Sequence, residues 1–405
     1  MVFVGIDWSE EPHEVEVMAE SGQRLRSLRV AHGVEGLTKL QATIAEVASD
    51  PRQVVVGVES DHGLLVNALV ASGYAVYPIN PLTAARYRDR QSLAGNKSDR
   101  RDAVMLANVV RTDRHQLRPL RGDSEPALEI RARARAHLRA VQLQTQLRNQ
   151  LRSRLLEFYP AVLPLVAADE LRDALAVLTV APSPAMSRRL SLSKLEATLR
   201  RHGRQRQVAN RAAEIQTLLR APQLDLQPPH LISAYADEVS SLTRLLLQVR
   251  RELAGLEAQL RQAFSAHPDV KIFLSFTGLA DILGARVLGE SGDDPTRYAD
   301  ASARRTYSGT PPVTRASGKK KEVTRRVARN RRLANATFGW AESAARHSPG
   351  ARQLYQRLRR RGQTHNMATR VIANRLVGML HACLRDHTLY DEQRAWTANL
   401  TQYAA

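Results

Sequence analysis

Cysteine is almost absent from this chain of 405 residues, because Cys383 is its only one. A disulfide within the chain is therefore impossible, and a reducing compartment is the expected environment. The sequence also lacks a run of about 18 consecutive apolar residues, so we expect no membrane-spanning helix. Its first residues do not form a basic segment followed by an apolar one, so we expect no signal peptide. Together these absences predict a cytoplasmic protein.

Acidic residues are scarce relative to basic ones, with 40 Asp and Glu against 60 Lys and Arg and a net charge of +20. The charge is unevenly distributed along the chain. Residues 1–60 hold ten acidic and five basic residues, a net of −5, so the other 345 residues carry +25. A basic body of this kind indicates a polyanionic partner. The length and the 43% of hydrophobic residues suffice for two or three domains with cores.

Four acidic residues form the main candidate site. Asp7 and Glu59 each follow a run of apolar or Gly residues, which predicts two buried strands with an acid at the end of each. Asp99 and Asp102 stand three residues apart at the start of a helical pattern, so they share one helix face. Four carboxylates close together repel unless a cation holds them, and such oxygen ligands suit Mg²⁺ or Mn²⁺. We therefore predict a metal-dependent enzyme that acts on phosphodiesters.

The N-terminal part alternates between predicted strands and helices. Strands are predicted at 2–7, 13–20, 23–30, 54–59 and 75–79, and helices at 37–47, at 63–72 and from 98 or 99 to 110. Three strands, a helix, a strand, a helix, a strand and a helix is the element order of the ribonuclease H-like fold. The four acids then fall at the ends of the first and fourth strands and on the last helix.

Two long helices are predicted in the middle of the chain. Residues 126–157 form an Arg-rich helix, and an apolar residue recurs at alternating four- and three-residue spacing from Tyr235 to Leu260, as in a coiled-coil seam. This seam could pair with the 126–157 helix or with a second subunit, and we expect a dimer or tetramer that uses both contacts. Between 160 and 230, prolines predict short helices and loops.

Two segments of the C-terminal part are candidates for contact with nucleic acid. Residues 270–290 predict a helix, a turn centred on Gly278 and a second helix, either a helix-hairpin-helix whose turn faces DNA phosphate or an ordinary helical hairpin. Residues 315–332 contain nine Lys or Arg against one acid, Glu322. The early part of the segment 307–332 is predicted to be a loop with Ser317 at its tip, where a serine could attack a phosphate or merely lie beside one. The predicted nucleic-acid ligands are Gly278, Arg315, Lys319, Lys320, Lys321, Arg325 and Arg326.

Taken together, these residues resemble the Asp-Glu-Asp-Asp transposases of the IS-one-ten group of insertion sequences, which includes the pilin-gene invertase Piv and the bridge-RNA-guided recombinases. In the N-terminal half the resemblance rests on Gly5-Ile6-Asp7, Val58-Glu59-Ser60 and 97–103. In the C-terminal half it rests on Gly278-Leu279, Gly309-Thr310-Pro311, Ser317-Gly318 and 373–376. The chain departs from the family pattern at Ala280 and Ala316.

The resemblance covers both ends of the chain and implies a RuvC-like metal-binding domain at 1–120 and a helical transposase domain at 266–405. The helical periodicity between them predicts a coiled-coil and helical insertion at 121–265. It implies that Asp7, Glu59, Asp99 and Asp102 bind the metal and that Ser317 is the nucleophile. It further implies donor and target DNA as substrates, a structured bridge RNA as guide, and association with the bacterial nucleoid. As nucleophiles, Ser308, Ser9 and Ser98 remain alternatives to Ser317. The alternative functions are a junction-resolving nuclease that works by hydrolysis and a non-catalytic nucleic-acid-binding scaffold.

Overall fold

The computed structural model describes residues 1–397 except 8–11, 61–62, 92–97, 118, 121, 167–170, 223–226 and 318–319. Within its helices and strands it does not describe the side chains of Leu82, Asp89, Arg90, Gln91, Arg315, Ser317, Lys320, Lys321 and Thr397. The chain divides into an N-terminal unit, Met1–Ser124 with Asp294–Ala299, and a C-terminal unit, Glu125–Asp293 with Asp300–Ala405. The finer division predicted at 265 stays a prediction.

The N-terminal unit is an α/β structure. Its elements are β1 (Val2–Asp7), β2 (His13–Ala19), β3 (Arg24–Val30), α1 (Val34–Ala45), β4 (Val54–Val58), α2 (Leu64–Ala71), β5 (Ala75–Pro78), α3 (Pro81–Gln91) and α4 (Asp99–Thr112), with short 3₁₀ turns at Pro51–Gln53 and Arg114–Gln116. The five predicted strands and three predicted helices are confirmed. The helix α3 was not predicted.

The described strands of this unit form one sheet in the order β3-β2-β1-β4-β5. The pairs β1–β2 and β2–β3 are antiparallel, whereas β1–β4 and β4–β5 are parallel. The parallel strands read as continuous apolar runs because both faces of the sheet are covered. One face packs Val4, Ile6 and Val56 under α1 and α2, and the other packs Phe3 and Val55 under α4.

The C-terminal unit is mainly helical. Its elements are α5 (Glu125–Phe158), α6 (Leu171–Val180), α7 (Pro184–Arg188), α8 (Leu192–Arg201), α9 (Val208–Arg220), α10 (Pro229–Ser265), α11 (Val270–Ser275), α12 (Asp281–Ser291), α13 (Ala301–Ser308), β6 (Val313–Ser317), β7 (Lys320–Thr324), α14 (Arg331–His347), α15 (Pro349–Arg360), α16 (His365–Asp386) and α17 (Glu392–Thr397), with a 3₁₀ segment at Pro160–Val166. No helix among the residues described here is long and apolar enough to cross a membrane.

The long helices α5 and α10 pack against each other within the chain. They run antiparallel, since Arg133 contacts Gln259 and Arg154 contacts Glu238. The predicted stripe of α10 faces this partner, and its Leu246 is fully buried. Burial is incomplete toward the middle of the two paired helices, where Leu143 of α5 is 44% exposed. The predicted pairing of this stripe with the Arg-rich helix of the same chain is therefore present. A contact of the stripe with a second subunit stays a prediction.

The turn between α11 and α12 packs against α14. Gly278 has φ +85°, and a Cβ there would lie 2.7 Å from the backbone nitrogen of Ala344. The indole of Trp340 donates a hydrogen bond to the carbonyl of Thr277 at 3.3 Å. Glycine is therefore required here by its conformation and by the nearby α14 backbone. The predicted contact of this turn with nucleic acid stays a prediction.

Candidate metal centre and nucleic-acid site

The central strands place two of the four predicted acids at the same edge of the sheet. Asp7 is the last residue of β1 and is buried, and Glu59 directly follows β4 and is half-buried. β1 and β4 are parallel and pair Ile6 with Val58. Asp7 and Glu59 come directly after these two paired residues, so they lie next to each other at the same edge of the sheet. Alternation along the strands puts both acids on the face that carries Gly5 and Gly57.

Two glycines allow α4 to lie directly on this face. A Cβ at Gly5 would lie 2.0 Å from the carbonyl oxygen of Ala103, and one at Gly57 would lie 2.7 Å from that of Leu106. Both distances are shorter than any real Cβ contact, so only glycine permits this approach. Asp102 immediately precedes Ala103 and is 3% exposed. The helix thus brings Asp102 to the face on which Asp7 lies.

An arginine of α3 joins two of the acids. Arg88 approaches Glu59 Oε1 with Nη2 at 3.0 Å and Asp102 Oδ1 with Nε at 3.2 Å. A single guanidinium therefore forms ion pairs with two carboxylates from different elements, and its one positive charge balances only one of their two negative charges. Sequence reasoning missed this residue, since nothing in the 81–91 segment sets Arg88 apart from its neighbouring arginines. The contact shows that these two acids converge on one positive charge.

The fourth predicted acid behaves differently. Asp99 is the first residue of α4 and is exposed, although it lies on the helix three residues before the buried Asp102. Ser98 caps this helix, because its hydroxyl accepts a hydrogen bond from the backbone N–H of Arg101. Among the described residues, no three His, Cys, Asp or Glu side chains form a group that could hold a metal ion. The four-ligand site therefore stays a prediction.

The chemistry of the acids nevertheless suits a divalent metal. Glu59 and Asp102 supply hard oxygen donors and already share one cation, the Arg88 guanidinium, which is the charge a metal would replace. Asp7 adds a buried carboxylate on the same face of the sheet. Its cross-strand partner Glu14 is also buried and is bound by Arg29, so its charge is already balanced.

The segment around the predicted nucleophile is a β-hairpin. The prediction of a loop at this place was wrong, because β6 and β7 pair antiparallel with Ser317 opposite Lys320. Ser317 is the last residue of β6, and its side chain lies outside the described structure, as do those of Arg315, Lys320 and Lys321. Gly318 and Lys319 also lie outside the described residues. Arg325 is exposed and Arg326 is half-buried just after the hairpin.

The alternative serines differ in their surroundings. Ser308 is fully buried at the end of α13, and its hydroxyl donates to the carbonyl of Arg305 at 2.7 Å. Ser98 is engaged in capping α4. A hydroxyl that is buried or committed to the backbone is poorly placed to attack a phosphate. Ser9 lies outside the described residues.

Two segments that carried the C-terminal resemblance meet in the structure. The hydroxyl of Thr310 donates to Asn374 Oδ1 of α16 at 3.0 Å. Gly309 between Ser308 and Thr310 has φ +70° and ends α13, and a Cβ there would overlap the side chain of Arg329. The chain entering the hairpin thus leaves α13 through a glycine turn and is joined to α16 by one side-chain hydrogen bond.

A buried ion pair supports the same region. Glu290 of α12 is 4% exposed and accepts hydrogen bonds from Arg135 at 2.7 and 3.0 Å and from Asn330 at 3.0 Å. Burial acts to raise the pKa of the Glu290 carboxyl, but the hydrogen bonds from Arg135 and Asn330 hold this pKa below its ordinary value. Asn330 also caps α14, since its side chain accepts from the backbone N–H of Leu333. No sequence motif signalled this network.

Comparison with known proteins identifies the class of the chain. A family model of DEDD transposases of IS110 type, described as "Transposase", matches residues 4–160, and the model "Transposase IS116/IS110/IS902 family" matches residues 270–356. The "Mini-circle putative transposase for IS117" of Streptomyces coelicolor is 42% identical over 100% of this chain and 98% of its own length. These matches define a transposase.

Two further relatives match nearly the whole chain. The "Insertion element IS900 uncharacterized 42 kDa protein" of Mycobacterium paratuberculosis is 29% identical over 96% of this chain and 97% of its own. The "Insertion element IS116 uncharacterized 44.8 kDa protein" of Streptomyces clavuligerus is 27% identical over 96% of each. The chain belongs to the IS116/IS110/IS902 family of transposases, and the resemblance recognised in the sequence is confirmed.

Proposed function

We propose that this transposase joins donor and target DNA with Ser317 as nucleophile, assisted by a divalent metal at Asp7, Glu59, Asp99 and Asp102. The observation that carries the proposal is the convergence of Glu59 and Asp102 on the Arg88 guanidinium, on the sheet face that bears Asp7. We propose a ribonuclease H-like (RuvC-like) fold for the N-terminal unit. The strand order β3-β2-β1-β4-β5, with three antiparallel strands followed by two parallel ones, supports this fold.

In the proposed reaction the hydroxyl of Ser317 attacks a phosphorus atom of DNA. A bond forms between Oγ and phosphorus while the bond from phosphorus to the leaving strand breaks, and the leaving oxygen takes up one proton as the serine loses one. A strand end of the second DNA then attacks the phosphoserine and restores the serine hydroxyl. Mg²⁺ or Mn²⁺ at the four acids would polarise the phosphate. The cations that follow Ser317 would stabilise the charge that develops in the transition state.

Trapping the covalent product tests the nucleophile. A reaction stopped midway and digested with nuclease should give a peptide carrying a nucleotide on Ser317, detected by mass spectrometry. Ser317→Ala should lose this adduct and strand exchange while keeping the fold and nucleic-acid binding, because it removes only the attacking oxygen. A nucleotide on Ser308, Ser98 or Ser9, or full recombination by Ser317→Ala, would refute the assignment. Cleavage with free ends and no adduct would indicate the hydrolytic alternative.

A metal test independent of activity uses Arg88. In EDTA, Arg88→Met should lower the melting temperature, because the buried Asp102 carboxylate loses the cation beside it. Mg²⁺ or Mn²⁺ should then raise the melting temperature of this variant more than that of the native protein, since the metal no longer has to displace the guanidinium. At about 100 times the dissociation constant, binding stabilises by about 2.7 kcal/mol. Arg86→Met, which removes an exposed arginine of the same helix, is the matched control.

A variant that lacks one of the acids is the negative control for metal binding. Asp102→Asn should abolish the metal-induced rise in melting temperature and the recombination activity together. An equal rise in the native protein, in Arg88→Met and in Asp102→Asn would place the metal elsewhere and contradict the proposal.

A bridge RNA, a homo-oligomer and action on nucleoid DNA in the bacterial cytoplasm complete the proposed function. The net charge of +20 supports a nucleic-acid partner but does not distinguish RNA from DNA. RNA that co-purifies with the chain and disappears after ribonuclease treatment would support the guide. Recombination by protein and DNA alone, after complete RNA removal, would contradict it.

A further inference from the structure

A cleft of about 680 Å³ lies between α13, α15 and α16 of the C-terminal unit. No acid is found among the described residues that line it, and six of them give it a polar, positively charged wall: Arg305, Arg357, Arg361, Arg375, Gln363 and Asn374. The four arginines come from three helices or their ends, so the charge is assembled by the fold and not by one run of sequence.

Three of these arginines, Arg305, Arg357 and Arg361, differ from the arginines in ion pairs elsewhere in the same unit. Arg135 binds Glu290 at 2.7 Å, and Arg204 binds Asp173 at 2.6 Å. Within the described part of the chain, Arg357 and Arg361 make no ion pair, and Arg305 Nε is buried with no hydrogen-bond acceptor. Among the described residues, the fold therefore gathers four arginines around one cleft to which no acidic side chain contributes.

The cleft is shaped to hold these groups in position. A Cβ at Gly378 of α16 would lie 1.8 Å from Arg305 Nη2, so glycine is what allows this guanidinium to lie against the α16 backbone. The Arg375 guanidinium lies over the Trp396 ring, 4.6 Å from its centroid, in a cation–π contact that fixes its direction. Burial and the charges of Arg304 and Arg385 lower the pKa of His381, also on α16, consistent with a positive potential along this helix.

The chemistry of the cleft selects its ligand. Guanidinium groups match the geometry of phosphate oxygens, and several of them in one cleft suit successive phosphates of a polymer. We propose that this cleft binds the sugar-phosphate backbone of a nucleic-acid strand, at a site separate from the hairpin of Ser317. Asn374 lines the cleft and also holds Thr310, which leads into β6, so the bound strand would lie beside the start of the hairpin segment. This inference rests on the proposed function only in taking the ligand to be a nucleic acid.

Two matched double variants of the full chain test the cleft. Arg357→Ala with Arg361→Ala removes two cleft arginines, and Arg352→Ala with Arg360→Ala removes two exposed arginines of α15 that do not line it. Binding of fluorescent duplex DNA, single-stranded DNA and single-stranded RNA is measured by anisotropy at several salt concentrations in EDTA, so that no reaction occurs. Circular dichroism confirms that each variant is folded.

The cleft variant should bind at least one of the three probes about tenfold more weakly and with a smaller salt dependence. Each phosphate contact adds about 0.9 to the logarithmic slope on duplex DNA and about 0.7 on a single strand, so two lost contacts lower it by about 1.8 or about 1.4. The α15 control should keep most of the affinity and slope. The probe that shows the difference identifies the kind of strand.

Equal losses in the two double variants, or no loss in either, would overturn the cleft assignment while leaving the proposed function intact. Absence of salt-dependent binding by the native protein would count against the proposed function itself. Lysine at both positions should restore the slope, because charge is retained, but only part of the affinity, because the bidentate geometry is lost.

Discussion

The position of Gly5 provides a direct test of how the acidic site is assembled. Ordinary contact begins at 3.4 Å, whereas a Cβ at Gly5 would lie 2.0 Å from the Ala103 oxygen and 2.4 Å from the Ala107 nitrogen. Gly5→Ala therefore requires α4 to move away from the sheet by about 1.4 Å, the difference between 3.4 and 2.0 Å. Both obstructing atoms belong to the helix backbone, so no side-chain rotation relieves the overlap.

Two effects should follow from this displacement. Overpacking of a core typically costs about 1–3 kcal/mol, and a clash with two backbone atoms places Gly5→Ala at the upper end of that range. Because Asp102 adjoins Ala103, the carboxylate moves with the helix, and a misplacement of about 1 Å can reduce a catalytic rate about 100-fold. Activity should therefore fall further than the loss of stability alone would explain.

The assay compares three alanine substitutions by thermal melting and by recombination rate. Gly57→Ala meets its nearest backbone atom at 2.7 Å and should be milder, and Gly122→Ala meets no atom within 4 Å and should be neutral. The expected order of damage is Gly5, then Gly57, then Gly122. If Gly5→Ala melts and reacts like Gly122→Ala, the reasoning that only glycine brings α4 and Asp102 onto the sheet is wrong.

The remaining predictions concern the C-terminal unit. Glu290→Gln should destabilise by about 3 kcal/mol near neutral pH, because it removes the buried negative charge to which Arg135 donates two hydrogen bonds. The pKa of Glu290 is lowered in the folded state, so the difference in stability between the native protein and this variant should persist above about pH 4.3, the pKa of an unfolded glutamate. The difference should shrink as pH falls through the folded-state pKa. A difference in melting temperature that is constant with pH would contradict this prediction. If the long helices mediate assembly, the double variant Leu143→Lys with Leu253→Lys should lower the mass measured by light scattering while the helices stay folded. Leu246→Lys should instead unfold the helices, because Leu246 is fully buried. An unchanged mass for the first variant would show that this surface is not an interface.

The sequence by itself determined the local elements. Runs of apolar residues with an acid after them predicted β1 and β4, and the Ser98 cap followed by helical spacing predicted where α4 begins. These patterns depend on neighbours a few residues apart, so they can be read without knowledge of the fold. The motifs around the four acids and those around Gly278, Gly309 and Ser317 together carried the resemblance to the transposase family, which the family models confirm.

Only the tertiary structure decided which groups contact one another. Asp99 and Asp102 follow the same helical spacing, yet the sheet buries only Asp102, because α4 meets β1 at Ala103. The ion pairs of Arg88 and the arginine-lined cleft of the C-terminal unit bring together elements that are far apart in sequence. Periodicity reports which face a residue occupies, whereas its partner depends on how separate elements pack, and packing is a property of the whole fold.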